Sequence, residues 1–334
     1  MNEKISVIMS TYNTPRDYLK ESIESILGQT YTNLELIIIC DGTKDEYQYI
    51  LSNYKDEKVK VLLNRQNKGL AYSLNRGISE SSGQYIARMD SDDISLPNRL
   101  TEELDYLKRN KLDLCGTAAY SFGDKYDKKS RLFISPEGLK IWMLFMATLI
   151  HPSVLGKKEL FLDNKYNESY LCAQDFELWS RIIDNYRIGY CSKPLLRYRI
   201  HDKQITTKKG QLQRQMAEKI IRKNATKISG MYDEKVFRCL WLLGGRERIK
   251  ESNCKELNEL IDYVLVLNHT NKKYDEKLMK KIFYSRFFEL VLKYRIAIHD
   301  FAMIKKIVRL NNLKDMAFYG TDKILSKFRK NIKL

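Results

Sequence analysis

The first ninety residues alternate between two structural periods, and this constrains the fold more than any other feature. "ISVIMS" (5–10) and "LELIIIC" (34–40) are unbroken runs of apolar β-formers, the pattern of strands covered on both faces. "VKVLL" (59–63) and "YIARM" (85–89) follow at similar spacing. Helical patterns lie between them. "RDYLKESIESILG" puts Leu19, Ile23, Ile26 and Leu27 on one face and offers Gly28 as a stop, and "AYSLNRGISE" joins the third strand to the fourth. The order β-α-β-α-β-α-β requires crossover connections, so it predicts an α/β fold with a doubly wound, mainly parallel sheet. Further on, "LDLCGTAAYSFG" reads as a strand and 137–150 as a buried helix. Residues 174–186 read as a helix through Phe176, Leu178, Trp179, Ile182 and Ile183, and 187–201 as extended chain. From about 208 onward nearly everything has a helical period.

Charge divides the chain as well. Of a net +17 over 334 residues, residues 206–334 hold 30 Lys and Arg against 14 Asp and Glu, while 1–205 hold 29 against 28. Two modules are expected, 1–207 and a basic, all-helical 208–334, meeting near "ITTKKG" (205–210). A basic module suits an anionic partner. The longest apolar run, "IWMLFMATLI" (141–150), is about half of the roughly 18–20 residues a membrane span needs. "MNEKISVIMS" lacks the features of a secretion signal, so a cytoplasmic chain is expected. The six cysteines are scattered with no C-x-x-C pair, which predicts reduced thiols rather than zinc or disulfides.

In doubly wound sheets, ligands bind beyond the carboxyl ends of the strands. Three of those ends are polar here: "STYN" (10–13), Asp41 in "CDGT", and "DSDD" (90–93). No G-x-G-x-x-G follows the first strand and no G-x-x-x-x-G-K-[ST] occurs, which argues against a dinucleotide oxidoreductase and a P-loop enzyme. If 85–92 stays extended, Asp90 and Asp92 point to one side, and paired carboxylates at a strand end suit Mg²⁺ or Mn²⁺. The same stretch also reads as a polar turn, with Ser95 capping a helix that begins near Pro97.

Taken together, "SVIMSTYN" (6–13), "LELIIICDGT" (34–43), "NKGLAYSLNRGI" (67–78), "GQYIARMDSDDISLPNRL" (83–100), "HPSVLGKKEL" (151–160), "CAQDFELWSRI" (172–182) and "LRYRIH" (196–201) resemble family 2 of the nucleotide-sugar glycosyltransferases. The resemblance spans most of the first 205 residues and implies the Rossmann-like type A fold. It departs in two places: Cys40 stands first where the family has an acid–acid pair, and Gln174 precedes Asp175 where the family has "ED". The processive Q-x-x-R-W motif is missing, which argues against a polymer synthase.

The resemblance implies a UDP-sugar donor, with Thr11 and Tyr12 at its base and ribose and Asp41 accepting a hydrogen bond from uracil. Lys68 and Asn75 fall where the family contacts the donor. Asp90 is expected near the ribose and the ion, Asp92 as the direct metal ligand, and His201 close to metal or diphosphate. Asp175 matches the family's general base, and His151 an acceptor contact. Trp179 could stack on a sugar, although helix packing suits it better.

The expected function is inverting transfer of a hexose from a UDP-sugar to a glycan hydroxyl, dependent on Mn²⁺ or Mg²⁺. The expected acceptor is bacterial capsule or lipid-linked oligosaccharide. The alternative is a nucleic-acid-binding protein acting through the basic tail, against which no compact nucleic-acid motif appears. A peripheral place on the inner face of the plasma membrane is also expected. "KKIFYSRFFELVLKYRIAIHDF" (280–301) spaces Phe283, Phe287, Leu290, Val291 and Tyr294 as one apolar helical face among basic residues, and "KKIVRL" and "KILSKFRKNIK" add charge.

Overall fold

The computed structural model describes residues 3–123, 128–129, 135–201 and 210–294. Four parallel strands form the first half of the sheet: β1 (Ile5–Thr11), β2 (Leu34–Asp41), β3 (Val59–Asn64) and β4 (Tyr85–Asp90), in the order β3-β2-β1-β4. Their crossovers carry α1 (Arg16–Leu27), α2 (Lys44–Asn53) and α3 (Leu70–Ser79). The continuous apolar runs are explained by cover on both faces. Val7, Met9, Leu36 and Ile38 join one core with Leu19, Ile23 and Ile26 of α1 and with Leu100, Leu104 and Leu107 of α4 (Arg99–Arg109). On the opposite face α3 lies close to the sheet at Gly77, where a Cβ would stand 2.7 Å from both Ile8 and Ile39.

The second half of the sheet is mixed. β8 (Leu155–Lys157) runs antiparallel to β4 and to β6 (Leu114–Gly123), and β6 pairs in parallel with β9 (Ile188–Ile200). β5 (Ile94–Ser95) is antiparallel to β9, and β7 (Lys128–Lys129) to β6. The β6–β9 register shifts beside Ala118, whose partner is Pro194. A proline has no N–H for the ladder, so the irregularity falls where pairing is weakest. α6 (Lys158–Asp163) and α7 (Gln174–Ile182) complete this part.

Two compact units result: Met1–Ser130 with Leu149–Gln213, and Arg131–Thr148 with Arg214–Leu334. The second contains α5 (Pro136–Trp142), α9 (Glu234–Leu243), α10 (Glu251–Asn271) and α11 (Glu276–Tyr294); α8 (Gly210–Ser229) begins just before it. No helix among the described residues is long and apolar enough to cross a membrane. All six cysteines are free and buried.

Three expectations are corrected. The buried stretch 137–150 is helical only through Trp142, although Met143, Leu144 and Phe145 stay in the core. The carbonyls of Met143 and Leu144 each accept from Asn224 Nδ2 at 3.1 Å, so a side chain satisfies backbone that the helix leaves open. Ser95 is a β5 residue rather than a cap. Its Oγ accepts from Gln29 Nε2 at 3.0 Å, and Gln29 Oε1 accepts from Leu100 N at 3.1 Å, so the start of α4 is held from a distant loop. The apolar face expected to meet lipid packs inside the second unit, because Phe283, Phe287, Leu290 and Val291 are at most 4% exposed. Residues 295–301, "KKIVRL", "KILSKFRKNIK" and most of "ITTKKG" lie outside the described residues.

A buried ion pair braces the first unit. Arg99 and Glu103 are both fully buried, with Nε to Oε1 at 3.4 Å. Arg99 also donates to the carbonyls of Pro152 and Arg88, each at 2.9 Å. Burial pushes the Glu103 carboxyl up to about 7, against the pull of Arg99. Arg99→Met strands that carboxyl and frees two carbonyls. It is expected to cost about 3 kcal/mol in urea unfolding, the lower end for a broken buried pair because Glu103 can take a proton. Adding Glu103→Leu should recover a large part; no recovery would mean that the two carbonyl contacts dominate.

Candidate active site at the carboxyl ends of the parallel strands

The loops that leave β1, β2, β3 and β4 are fastened to one another. Thr11 Oγ1 donates to Thr14 Oγ1 at 3.0 Å, and Thr14 Oγ1 bonds Ser91 Oγ at 2.7 Å. Thr14 N donates to Glu46 Oε1 at 2.6 Å, and Thr43 donates to the other oxygen of the same carboxylate. Asp41 joins the second loop to the third by accepting from Asn64 Nδ2 at 2.8 Å and from Lys68 N and Gly69 N at 2.9 Å each. Gly42 follows at φ +86°, where a Cβ would lie 2.5 Å from Asn67 N; only glycine permits that approach. A carboxylate offers about four acceptor positions. Asp41 is buried and spends three of them within the protein, so it holds the third loop in place. The Lys68 side chain is exposed, and Tyr12 stands out at 55% exposure.

Three carboxylates gather at the end of β4. Oxygens of Asp90, Asp92 and Asp93 all lie within 4.8 Å of one another. Strand alternation does not bring them together, because β4 ends at Asp90 and a turn follows over Ser91–Asp92. Arg88, buried in β4, pairs with Asp90. Asp92 Oδ2 meets His201 Nε2 at 2.9 Å. Asp93 is fully buried: Oδ1 accepts from Arg199 N at 2.8 Å, while Oδ2 has no hydrogen-bond partner. Burial raises the carboxyl of Asp90 above its ordinary range, Arg88 opposes this, and the charges of Asp92 and Asp175 add to it. Burial, then Asp90 and Asp92, push Asp93 higher still. Crowded carboxylates with an orphaned oxygen suit a hard divalent cation, which favours oxygen ligands.

A second group of residues, around Asp175, interacts electrostatically with this cluster. Asp175 lies in the first turn of α7, two residues after Ala173, which has a left-handed conformation (φ +57°). A residue with a Cβ is strained there by roughly 1–2 kcal/mol, so the approach to Asp175 is held by its surroundings. Asp175 is near enough to shift both Asp90 and Tyr166 electrostatically. The Tyr166 hydroxyl bonds His151 Nε2 at 2.9 Å. Burial, then Arg88, hold the His151 imidazole well below its ordinary pKa, so it is neutral at pH 7 and serves as a hydrogen-bonding group. Asn75 clamps the intervening segment: Nδ2 donates to Tyr166 O at 2.9 Å and to Glu168 Oε1 at 3.1 Å, and Oδ1 accepts from Tyr166 N at 2.9 Å. Trp179 is fully buried, edge-on to Phe161, Tyr166 and His151, and packs the helix as expected.

Thr11, Tyr12, Asp90 and Asp92 thus belong to the strand ends and the loops that leave them, His201 follows β9 and meets Asp92, and Asp175 on α7 acts electrostatically on Asp90. Asp41 and Asn75 act on the protein itself in this structure: Asp41 ties two loops together, and Asn75 ties α3 to the segment at Tyr166 and Glu168. Sequence reasoning counted Asp93 in the acidic cluster without giving it a role, and passed over Arg88 and Arg199. Arg88 is a charge inside an otherwise apolar strand, which was a readable signal. Arg199 donates through Nε to Asp92 O at 2.7 Å and lies over the rings of Tyr18 and Phe122 at 4.0 and 4.5 Å.

Comparison with known proteins fits this geometry. The family model "Glycosyl transferase family 2" matches residues 6–169, which include β1 to β4 and the acidic cluster. An uncharacterized glycosyltransferase of Methanocaldococcus jannaschii is 35% identical over 206 residues, covering 59% of this chain and 70% of its own length. The O-antigen biosynthesis glycosyltransferase WbnJ of Escherichia coli is 33% identical over 208 residues, covering 60% of this chain and 81% of its own. Among solved structures, S. aureus TarS 1-349 in complex with UDP-GlcNAc superposes with a TM-score of 0.57 at 16% identity, covering 87% of this chain and 89% of that one. At that identity the likeness speaks for the fold. It is the sequence relatives, at 35% and 33% identity over 70% and 81% of their own lengths, together with the family model over the strands whose ends carry Asp41 and the three carboxylates, that decide the family: the chain belongs to glycosyltransferase family 2.

Proposed function

We propose that the chain transfers a hexose from a UDP-sugar to a hydroxyl of a growing surface glycan, with inversion and with a divalent cation. The observation that carries this reading is the gathering of the Asp90, Asp92 and Asp93 carboxylates within electrostatic reach of Asp175. The solved TarS complex with UDP-GlcNAc supports a UDP donor, and WbnJ supports a surface-polysaccharide acceptor.

Asp90, Asp92 and Asp93 are the residues that would hold Mn²⁺ or Mg²⁺, with His201 beside Asp92. A cation there supplies Lewis-acid stabilisation of the charge that develops on the departing diphosphate. The exposed Tyr12 ring is available to the base, and Thr11 and Lys68 flank the donor. Asp175 takes the proton of the acceptor hydroxyl as its oxygen bonds the anomeric carbon; the sugar–phosphate bond breaks and its electron pair leaves with UDP. A typical α-linked donor therefore gives a β-glycoside. NMR coupling at the new anomeric proton checks this outcome, and an α product would overturn single displacement.

UDP release over a panel of UDP-sugars, with and without Mn²⁺, tests the donor and the metal together. No release with any of them, beside binding of the chain to nucleic acid, would favour the alternative reading. With a lipid-linked acceptor, the reaction would take place on the cytoplasmic side of the membrane, and this location is part of the proposal.

A further inference from the structure

We infer that Arg199 is a positioning residue: from the end of β9 it fixes the turn that carries Asp92 and Asp93, and so sets how tightly the site holds a divalent cation. This role presupposes the metal-dependent transfer proposed for the chain. Arg199 grips the turn at two points. Its backbone N–H donates to Asp93 Oδ1 at 2.8 Å, and its side-chain Nε donates to the Asp92 carbonyl at 2.7 Å. The first bond aims the Asp93 carboxylate, whose other oxygen has no hydrogen-bond partner. The second holds the peptide unit between the two acids, because that unit is a rigid plane and turns only as a whole. The turn needs such anchors. β4 ends at Asp90 and β5 begins at Ile94, so Ser91–Asp93 lies outside both strands.

The guanidinium is itself held on several sides. Its Cζ lies 4.0 Å from the centroid of the Tyr18 ring and 4.5 Å from that of Phe122, and its NH2 group pairs with Glu21. Phe122 is the register partner of Arg199 across the β6–β9 ladder, while Tyr18 and Glu21 belong to α1. The Tyr18 ring also meets the His201 ring, with centroids 5.6 Å apart, so one side chain steadies both the arginine and the imidazole that bonds Asp92. A lysine would keep the charge but lacks the planar fork that stacks on a ring while donating sideways.

Charge and positioning predict opposite effects. A guanidinium beside the carboxylates repels a cation, so on charge alone its removal would tighten Mn²⁺ binding. If it holds the ligands in place, its removal loosens Mn²⁺ binding. Groups that orient metal ligands in this way account for about 10- to 100-fold in metal affinity. The sign of the change therefore decides.

The test is Mn²⁺ binding to the full chain without nucleotide, followed by electron paramagnetic resonance. Arg199→Met should weaken it by about tenfold or more, and Arg199→Lys should weaken it as well, because charge is not what the site uses. Tyr18→Leu removes the ring under the guanidinium and should act in the same direction by less. Thermal melts establish that each variant is folded at the assay temperature, and Tyr18→Leu with Arg199→Lys carries the test if Arg199→Met does not fold. UDP affinity without metal should match the parent, and high Mn²⁺ should restore a large part of UDP release. Unchanged or tighter Mn²⁺ binding in Arg199→Met would overturn the inference, and so would full affinity in Arg199→Lys. A loss of metal-free UDP affinity would overturn it too, by making Arg199 a donor contact. A parent chain that binds no Mn²⁺ would sink the metal reading and this role together. A parent that binds Mn²⁺ but releases UDP from no UDP-sugar would sink the enzymatic reading alone, while the Mn²⁺ comparison still decides the role of Arg199.

Discussion

Asp175→Asn is expected to lower sugar transfer by about 10²- to 10⁴-fold, the range for a positioned general base, while UDP-sugar affinity stays nearly unchanged. Asn keeps the size and the hydrogen-bonding reach of the side chain but cannot take the hydroxyl proton. Asp175 sits at the start of α7 after a strained Ala173, so its placement is set by the backbone and should survive the change. The split between rate and affinity is the informative part. Single-turnover transfer and donor titration followed separately will show it, and a collapse of donor affinity with turnover preserved would make Asp175 a binding residue.

Asp92→Asn is expected to remove metal-dependent turnover by roughly 10³-fold, the several kcal/mol that a Lewis acid contributes to a developing diphosphate charge. An amide is a poorer ligand for a hard cation than a carboxylate. The fold should hold, because Asp92 is partly exposed and its side-chain partner is His201 rather than the core. Mn²⁺ binding followed by electron paramagnetic resonance gives a readout independent of catalysis. Wild-type Mn²⁺ affinity in the variant would remove Asp92 from the ligand set, and Asp90 with Asp93 would then remain as the pair to examine.

Different parts of the structure were legible to different degrees, for physical reasons. β1 and β2 announced themselves because a strand covered on both faces must be apolar throughout, and their burial shows that cover. β6 and β9 were read as extended chain, but β5 and β8 are two and three residues long, too short to display any period, so the antiparallel pairing of the second half of the sheet went unread. Ser95 fitted a capping pattern, yet Gln29 at the end of α1 serves α4 instead, and local sequence carries no trace of that contact. The face through Phe283 and Phe287 was read correctly as apolar; periodicity does not say whether lipid or another helix covers it. The acidic cluster was visible as composition, but its geometry comes from a turn and draws in Asp93.

The fastening of the strand-end loops has a consequence for how such a site can drift over generations. Thr14 is at once the partner of Thr11, of Ser91 and, through its amide, of Glu46, which Thr43 also holds. A replacement in any one of these loops must be accepted by two others before the chain folds as it did. Substrate preference is therefore freest to change at side chains that project out of this frame, such as Tyr12 and Lys68, where one substitution does not ask permission of its neighbours.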